Sequence, residues 1–144
     1  MSQGLEADRW DAEYQKGRYE DEAPIPFVDT ILKELGEGGK GRIGLYVGCG
    51  NGRNYIPLVG AGLRLHGTDI SPEAIAQLKE KDPEAKVTVS DFADITAARV
   101  FDYIVSIQVF QHGDTARTRK YFEKAAMALV PKGRLFLRVN STST

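Results

Sequence analysis

Apolar residues along the chain fall into short runs, separated by glycine, proline and acidic residues, and the period of the runs switches back and forth. Trp10 and Tyr14 stand four apart, on one face of a short helix. Phe27, Val28, Ile31, Leu32 and Leu35 form a helical stripe. Pro24 and Pro26 open that helix, where a missing N–H costs nothing, and the glycines from Gly36 to Gly41 end it. Ile43–Val47 is a continuous apolar run that enters a glycine cluster, as a buried strand does. Tyr55–Ala61 reads as a helix with Pro57 in its first turn, and Leu63–Thr68 as a second strand. At Ser71-Pro72-Glu73 a helix begins, with Ser71 as cap, Pro72 at the first position and Glu73 at the positive end of the dipole. It runs to about Lys81, before Pro83. Lys86–Ser90 alternates with a period of two. Tyr103–Ile107, preceded by Phe101-Asp102, is a fourth strand. Asp114 then caps a helix carrying Tyr121, Phe122, Ala125, Ala126, Leu129 and Val130. Pro131-Lys132-Gly133 breaks it, and Arg134–Val139 is the fifth strand.

Strand–helix alternation with short loops predicts an α/β fold, a doubly wound parallel sheet with helices on both faces. Right-handed crossovers restrict the topology further, and ligands of such sheets bind at the carboxyl ends of the strands. At 144 residues the chain suits one core. With 42% apolar and 27% charged residues, neither disorder nor a fibrous repeat is indicated. The formal charge of −1 argues against a globally basic nucleic-acid binder. No apolar run approaches the ~20 residues of a bilayer span, the start has no secretory pattern, and Cys49 is the single cysteine. A cytoplasmic protein that engages no membrane is the expectation. The charge is uneven: residues 1–38 are net acidic and the remainder net basic, which reads either as a solvated helix face or as a phosphate-binding surface.

Three loops follow the first three strands. The first is Gly48-Cys49-Gly50-Asn51-Gly52-Arg53, whose glycines permit a sharp turn and close approach of a ligand, ahead of a helix start that suits an anion. Its GxGxG spacing differs from the GxGxxG of dinucleotide folds, where Arg53 would be the third glycine. The second loop places Asp69 17 residues after Gly52. Two roles fit Asp69: acceptor for both hydroxyls of a ribose, or support for the cap of the next helix. In the third loop, the Asp91 carboxylate can accept from the amino group of an adenine while the following N–H donates to a ring nitrogen, with Ile70 packing on the base. The alternative is a loop aspartate and a core phenylalanine.

Together these loops resemble the class I S-adenosylmethionine-dependent methyltransferases. Leu45-Tyr46-Val47-Gly48-Cys49-Gly50-Asn51-Gly52 is similar to their first motif, Gly67-Thr68-Asp69-Ile70-Ser71 to their second, and Asp91-Phe92 to their adenine motif. Phe101–Ser106 resembles their fourth strand and Leu129–Arg134 the approach to their fifth. The resemblance implies a Rossmann-like sheet of order 3-2-1-4-5 and S-adenosylmethionine as cofactor, with S-adenosylhomocysteine as product. It places cofactor contacts at Gly48, Cys49, Gly50, Gly52, Arg53, Asp69, Ile70, Asp91, Phe92 and Ile107. Tyr46 stands where many members carry Asp or Glu. Arg53 lies near the expected methionine carboxylate, free to pair with it or to face solvent. Residues 10–19 resemble the leader of small-molecule members, which implies a lid over residues 1–22 carrying Trp10, Tyr14 and Tyr19, with a helix packed on the sheet edge as the alternative, and residues 23–144 as the cofactor-binding core.

Methyl transfer is an in-line displacement at an already activated methyl group, so the protein chiefly orients and dehydrates the reactants. His112 is the candidate base for an acceptor that must lose a proton, and equally a candidate cap. Gln108 and Gln111 make a poor divalent-cation pair, so no metal is expected. The acceptor expected is a small molecule. RNA or protein methylation, a non-catalytic nucleoside-binding fragment and a nicotinamide dehydrogenase are the alternatives. The family's C-terminal antiparallel strands are missing after strand five, so the sequence reads as a fragment of a longer chain. The exposed fifth strand could pair with a second copy in a homodimer.

Overall fold

A computed structural model of the chain describes residues 26–107 and 115–138. The strands are β1 (Ile43–Val47), β2 (Arg64–Asp69), β3 (Lys86–Val89), β4 (Phe101–Ile107) and β5 (Leu129–Arg138). They form one sheet in the order β3-β2-β1-β4-β5, parallel at every pairing. The helices are α1 (Phe27–Leu35), α2 (Tyr55–Gly60), α3 (Pro72–Lys81) and α4 (Thr115–Ala128). This is the expected Rossmann-like architecture. The helix ends follow local rules: Gly36 closes α1 in the left-handed region at φ 58°, and Ser71 Oγ accepts the Ala74 N–H at 3.0 Å to start α3.

Alternation along β1 divides the core in two. Tyr46 faces the side covered by α1, α2 and α3, packing with Ile31, Leu58, Leu78 and Val105. Leu45 and Val47 face the other side, where α4 supplies Tyr121, Ala125 and Ala128. Between β3 and β4 that second side receives only a short 3₁₀ turn, Phe92–Asp94, and an irregular segment. The segment is tied to α4 by the Lys124 ammonium on the Ile95 carbonyl at 2.8 Å. Among the described residues no helix is long and apolar enough to cross a membrane.

One expected boundary is corrected. Leu129 and Val130 do not extend α4 but begin β5. Pro131 has no N–H to offer the Met127 carbonyl four residues back. The Arg99 N–H bonds that carbonyl instead at 2.9 Å, and the Val100 N–H bonds Ala128 at 2.8 Å. Leu129 thus pairs with Phe101, and the register then jumps, with Tyr103 opposite Arg134. Lys132 takes a left-handed φ of 67° inside this irregular stretch.

At the centre of the sheet, Gly44 leaves room for the ring of Tyr103. A Cβ on Gly44 would lie 2.2 Å from that ring, and Tyr103 is fully buried. Gly44→Ala should therefore destabilise the domain by about 2 kcal/mol or more through overpacking. Urea denaturation checks this, and an unchanged midpoint would refute the close packing at Gly44.

Candidate functional site

The carboxyl ends of β1 and β2 leave the sheet side by side, because Val47 pairs with Thr68. The Thr68 carbonyl accepts both the Gly48 N–H at 2.7 Å and the Cys49 N–H at 3.0 Å, which clamps the start of the first loop to the end of β2. The loop then turns through Gly48, Gly50 and Gly52, with φ of 75°, 58° and 99°. Three left-handed residues at alternate positions are strained for any side chain with a Cβ. At Gly52 a Cβ would also meet Ile56 at 2.7 Å.

Asp69 joins the two loops. Its Oδ2 accepts the Gly50 N–H at 2.9 Å, and its Oδ1 accepts the Ser71 N–H at 2.9 Å. The second bond is the local cap support that the sequence left open. The first spans 19 residues and brings the glycine loop and the acid together. Ile70 and Arg53 are half-buried beside them. Ile107, at the end of β4, packs against the α1–α3 side of the core.

Cys49 is 4% exposed and belongs to that same core. Its sulfur lies 2.9 Å from where a Cβ on Gly67 would be, so the side chain props the loop from beneath. Burial, reinforced by Asp69, pushes the thiol well up. Tyr46 is also buried under the loop. Burial pushes its phenol up, with a hydrogen bond to Asn54 acting in the opposite direction.

The third loop presents a different arrangement. Asp91 is 3% exposed. Its Oδ1 accepts the Ala93 N–H at 2.9 Å, and its Oδ2 accepts from Arg117 Nη2 in an ion pair. The Arg117 guanidinium also lies over the Tyr121 ring, 5.2 Å from its centre. Burial opposes the Arg117 charge, but Asp91 and Tyr121 outweigh it and raise its pKa. Phe92 is 3% exposed and packs its ring against Tyr121 at 6.0 Å, so its side chain is core.

Several participants were absent from the sequence reading. Buried Asn51 donates to Gln77 Oε1 at 3.2 Å, and Gln77 donates to Glu73 Oε1 at 3.3 Å, which ties the glycine loop to α3. For Asn51 and Asn54 the available signal was two amides inside or just after a glycine loop. For Arg117 it was a spacing of four from Tyr121 on one helix face. Trp10, Tyr14, Tyr19 and His112 lie outside the described residues, as do Gln108 and Gln111. Among the described residues no group of three His, Cys, Asp or Glu side chains converges as a metal site would require.

Comparison with known proteins fits this geometry. A family model described as a methyltransferase domain matches residues 45–135, more than half of the chain. No curated protein matches. Among solved structures, magnesium protoporphyrin IX methyltransferase from Synechocystis PCC 6803, with bound S-adenosylmethionine, is 20% identical with a TM-score of 0.74. That match covers 90% of this chain and 72% of that one. Burkholderia thailandensis 1,6-didemethyltoxoflavin-N1-methyltransferase, with bound 1,6-didemethyltoxoflavin and S-adenosylhomocysteine, is 21% identical with a TM-score of 0.74, covering 93% and 60%. Haemonchus contortus phosphoethanolamine N-methyltransferase 2, in complex with S-adenosylmethionine, is 29% identical with a TM-score of 0.67, covering 80% and 28%. The chain thus spans less than two thirds of the second and third of these proteins.

The placement of Cys49 has a direct test. The native protein should leave its thiol unreacted with an aromatic disulfide reagent over a period in which the urea-unfolded protein reacts to completion. Rapid stoichiometric labelling of the folded protein would contradict the buried prop.

Proposed function

We propose that this chain, which belongs to the methyltransferase-domain family, binds S-adenosylmethionine at the carboxyl ends of β1, β2 and β3. It directs methyl transfer to a small-molecule acceptor by in-line displacement and releases S-adenosylhomocysteine. The observation that carries this reading is the bond from the Gly50 N–H to Asp69 Oδ2, which joins the glycine loop to the acid we assign to the ribose.

The residues fit the cofactor part by part. The backbone from Gly48 to Gly52 offers a surface without Cβ atoms in the path of a ligand. Asp69 accepts the Gly50 and Ser71 N–H groups from the side of the loops, and its two carboxylate oxygens are the acceptors we assign to the two ribose hydroxyls. Ile70 supplies apolar surface for the base. Asp91 accepts from the adenine amino group, and the Phe92 N–H addresses a ring nitrogen. Arg53 pairs with the methionine carboxylate.

When bound, the sulfonium cofactor supplies an activated methyl group. The chain's own task is then orientation and exclusion of water. For an acceptor that carries a proton on its nucleophile, His112 is the residue assigned to remove it, and residues 1–22 are assigned as the lid through Trp10, Tyr14 and Tyr19. A small-molecule acceptor is supported by the substrates named for the solved neighbours.

Titration calorimetry with S-adenosylhomocysteine tests the reading. The protein should bind it, and Asp69→Ala should weaken binding by about 2–4 kcal/mol, roughly thirtyfold to a thousandfold in Kd, through loss of charge-assisted bonds. Circular dichroism should show an intact fold. Unchanged affinity in a folded Asp69→Ala protein would confine Asp69 to its cap and loop bonds and defeat the proposal.

A further inference from the structure

The third loop holds its acceptor in an unusual state. Asp91 is assigned above to the adenine amino group, yet its carboxylate is buried and both oxygens already have donors. Oδ1 has the Ala93 N–H, and Oδ2 has Arg117 Nη2. The first donor lies two residues away and forms the 3₁₀ turn itself. The second comes from α4, 26 residues along the chain, on an arm that reaches the surface. Arg117 is 18% exposed against 2% for the Asp91 side chain. With the guanidinium in place the Asp91 side chain is all but closed to solvent, so a ligand gains access to Oδ2 only by displacing Arg117.

Arg117 is chemically suited to hold that place. Its Nη2, like the amino group of adenine, is a planar N–H donor, and its guanidinium carbon lies over the Tyr121 ring at 5.2 Å from the centre, within reach of a cation–π attraction. We propose that Arg117 is a latch that occupies the adenine-amino position on Asp91 in the absence of cofactor, and that cofactor binding exchanges one donor for the other. The inference rests on the reading of Asp91 as the adenine acceptor.

The exchange trades an ion pair for a neutral donor, so the latch lowers cofactor affinity below what the contacts alone would give. Removing it leaves a buried carboxylate short of a partner in the free protein, which raises the free energy of that state. The bound state, in which Arg117 has swung to the surface, is little affected. Stability and affinity must then move in opposite directions. A residue that merely braces the loop would lower both.

The test measures melting temperature and calorimetric affinity for wild type, Arg117→Met and Arg117→Lys. S-adenosylhomocysteine is compared with S-inosylhomocysteine, whose 6-oxo group cannot donate. Arg117→Met should melt at a lower temperature yet bind S-adenosylhomocysteine five- to fiftyfold more tightly, while its affinity for S-inosylhomocysteine stays within threefold of wild type. Arg117→Lys lacks the planar fork and should show a smaller gain of two- to fivefold. It decides the matter alone if the Met variant does not fold. Weaker or unchanged binding of S-adenosylhomocysteine by the folded variants overturns the latch. Equal wild-type affinity for the two ligands removes Asp91 as acceptor, and the latch with it. A wild-type protein that melts cooperatively but binds neither ligand overturns the cofactor reading itself.

Discussion

One hydrogen bond, from the Gly50 N–H to Asp69 Oδ2, determines how the two principal loops face each other. The ladder between β1 and β2 ends at Val47 and Thr68, and beyond that point nothing in a parallel sheet fixes where the connections go. The Thr68 carbonyl takes two N–H groups of the glycine loop, and Asp69 takes a third. Without these bonds, three left-handed glycines would leave the chain with more freedom than an ordinary turn. With them, the loop is anchored to β2 at its start and at its middle, and Asn51 anchors it to Gln77 on α3.

The same constraint explains why the residues beneath the loop are large or buried. Cys49 fills the space that Gly67 leaves, and Tyr46 and Tyr55 stand in tilted contact at 6.5 Å, with the Tyr55 hydroxyl donating to the Leu65 carbonyl at 2.8 Å. The loop therefore rests on packed core. On the other side of the sheet the arrangement is looser, since only a 3₁₀ turn and an irregular segment lie between β3 and β4. There Asp91 is held by its own turn through the Ala93 N–H, and it meets Arg117 of α4 by a contact between side chains rather than through the sheet.

This contrast marks what could be read from the residues. Ile43–Val47 was bounded correctly, because an apolar run entering glycines is a local signal, and the Ser71-Pro72-Glu73 helix start was equally local. The strand order followed from resemblance and from right-handed crossovers. The start of β5 was misplaced because helical spacing through Val130 looked continuous. Its true limit depends on Arg99 and Phe101, some thirty residues earlier, which claim Met127 and Leu129. Asp69 and the three glycines were legible as a set. The bond of Asp69 to the glycine loop, the Asn51–Gln77 contact and the Arg117–Asp91 pair were not, since each joins residues 19 to 26 positions apart through partners that no periodicity connects.

The bracket formed by the glycine loop and Asp69 is the proposed cofactor site. Amide chemical-shift mapping tests it most directly. Titration of isotope-labelled protein with S-adenosylhomocysteine should give its largest shifts at the amides of Gly48, Gly50, Gly52, Ile70 and Ser71, with those of α1 and the outer edge of β5 nearly unmoved. Saturable binding whose shifts concentrate elsewhere and leave Gly50 and Ser71 in place would contradict the account.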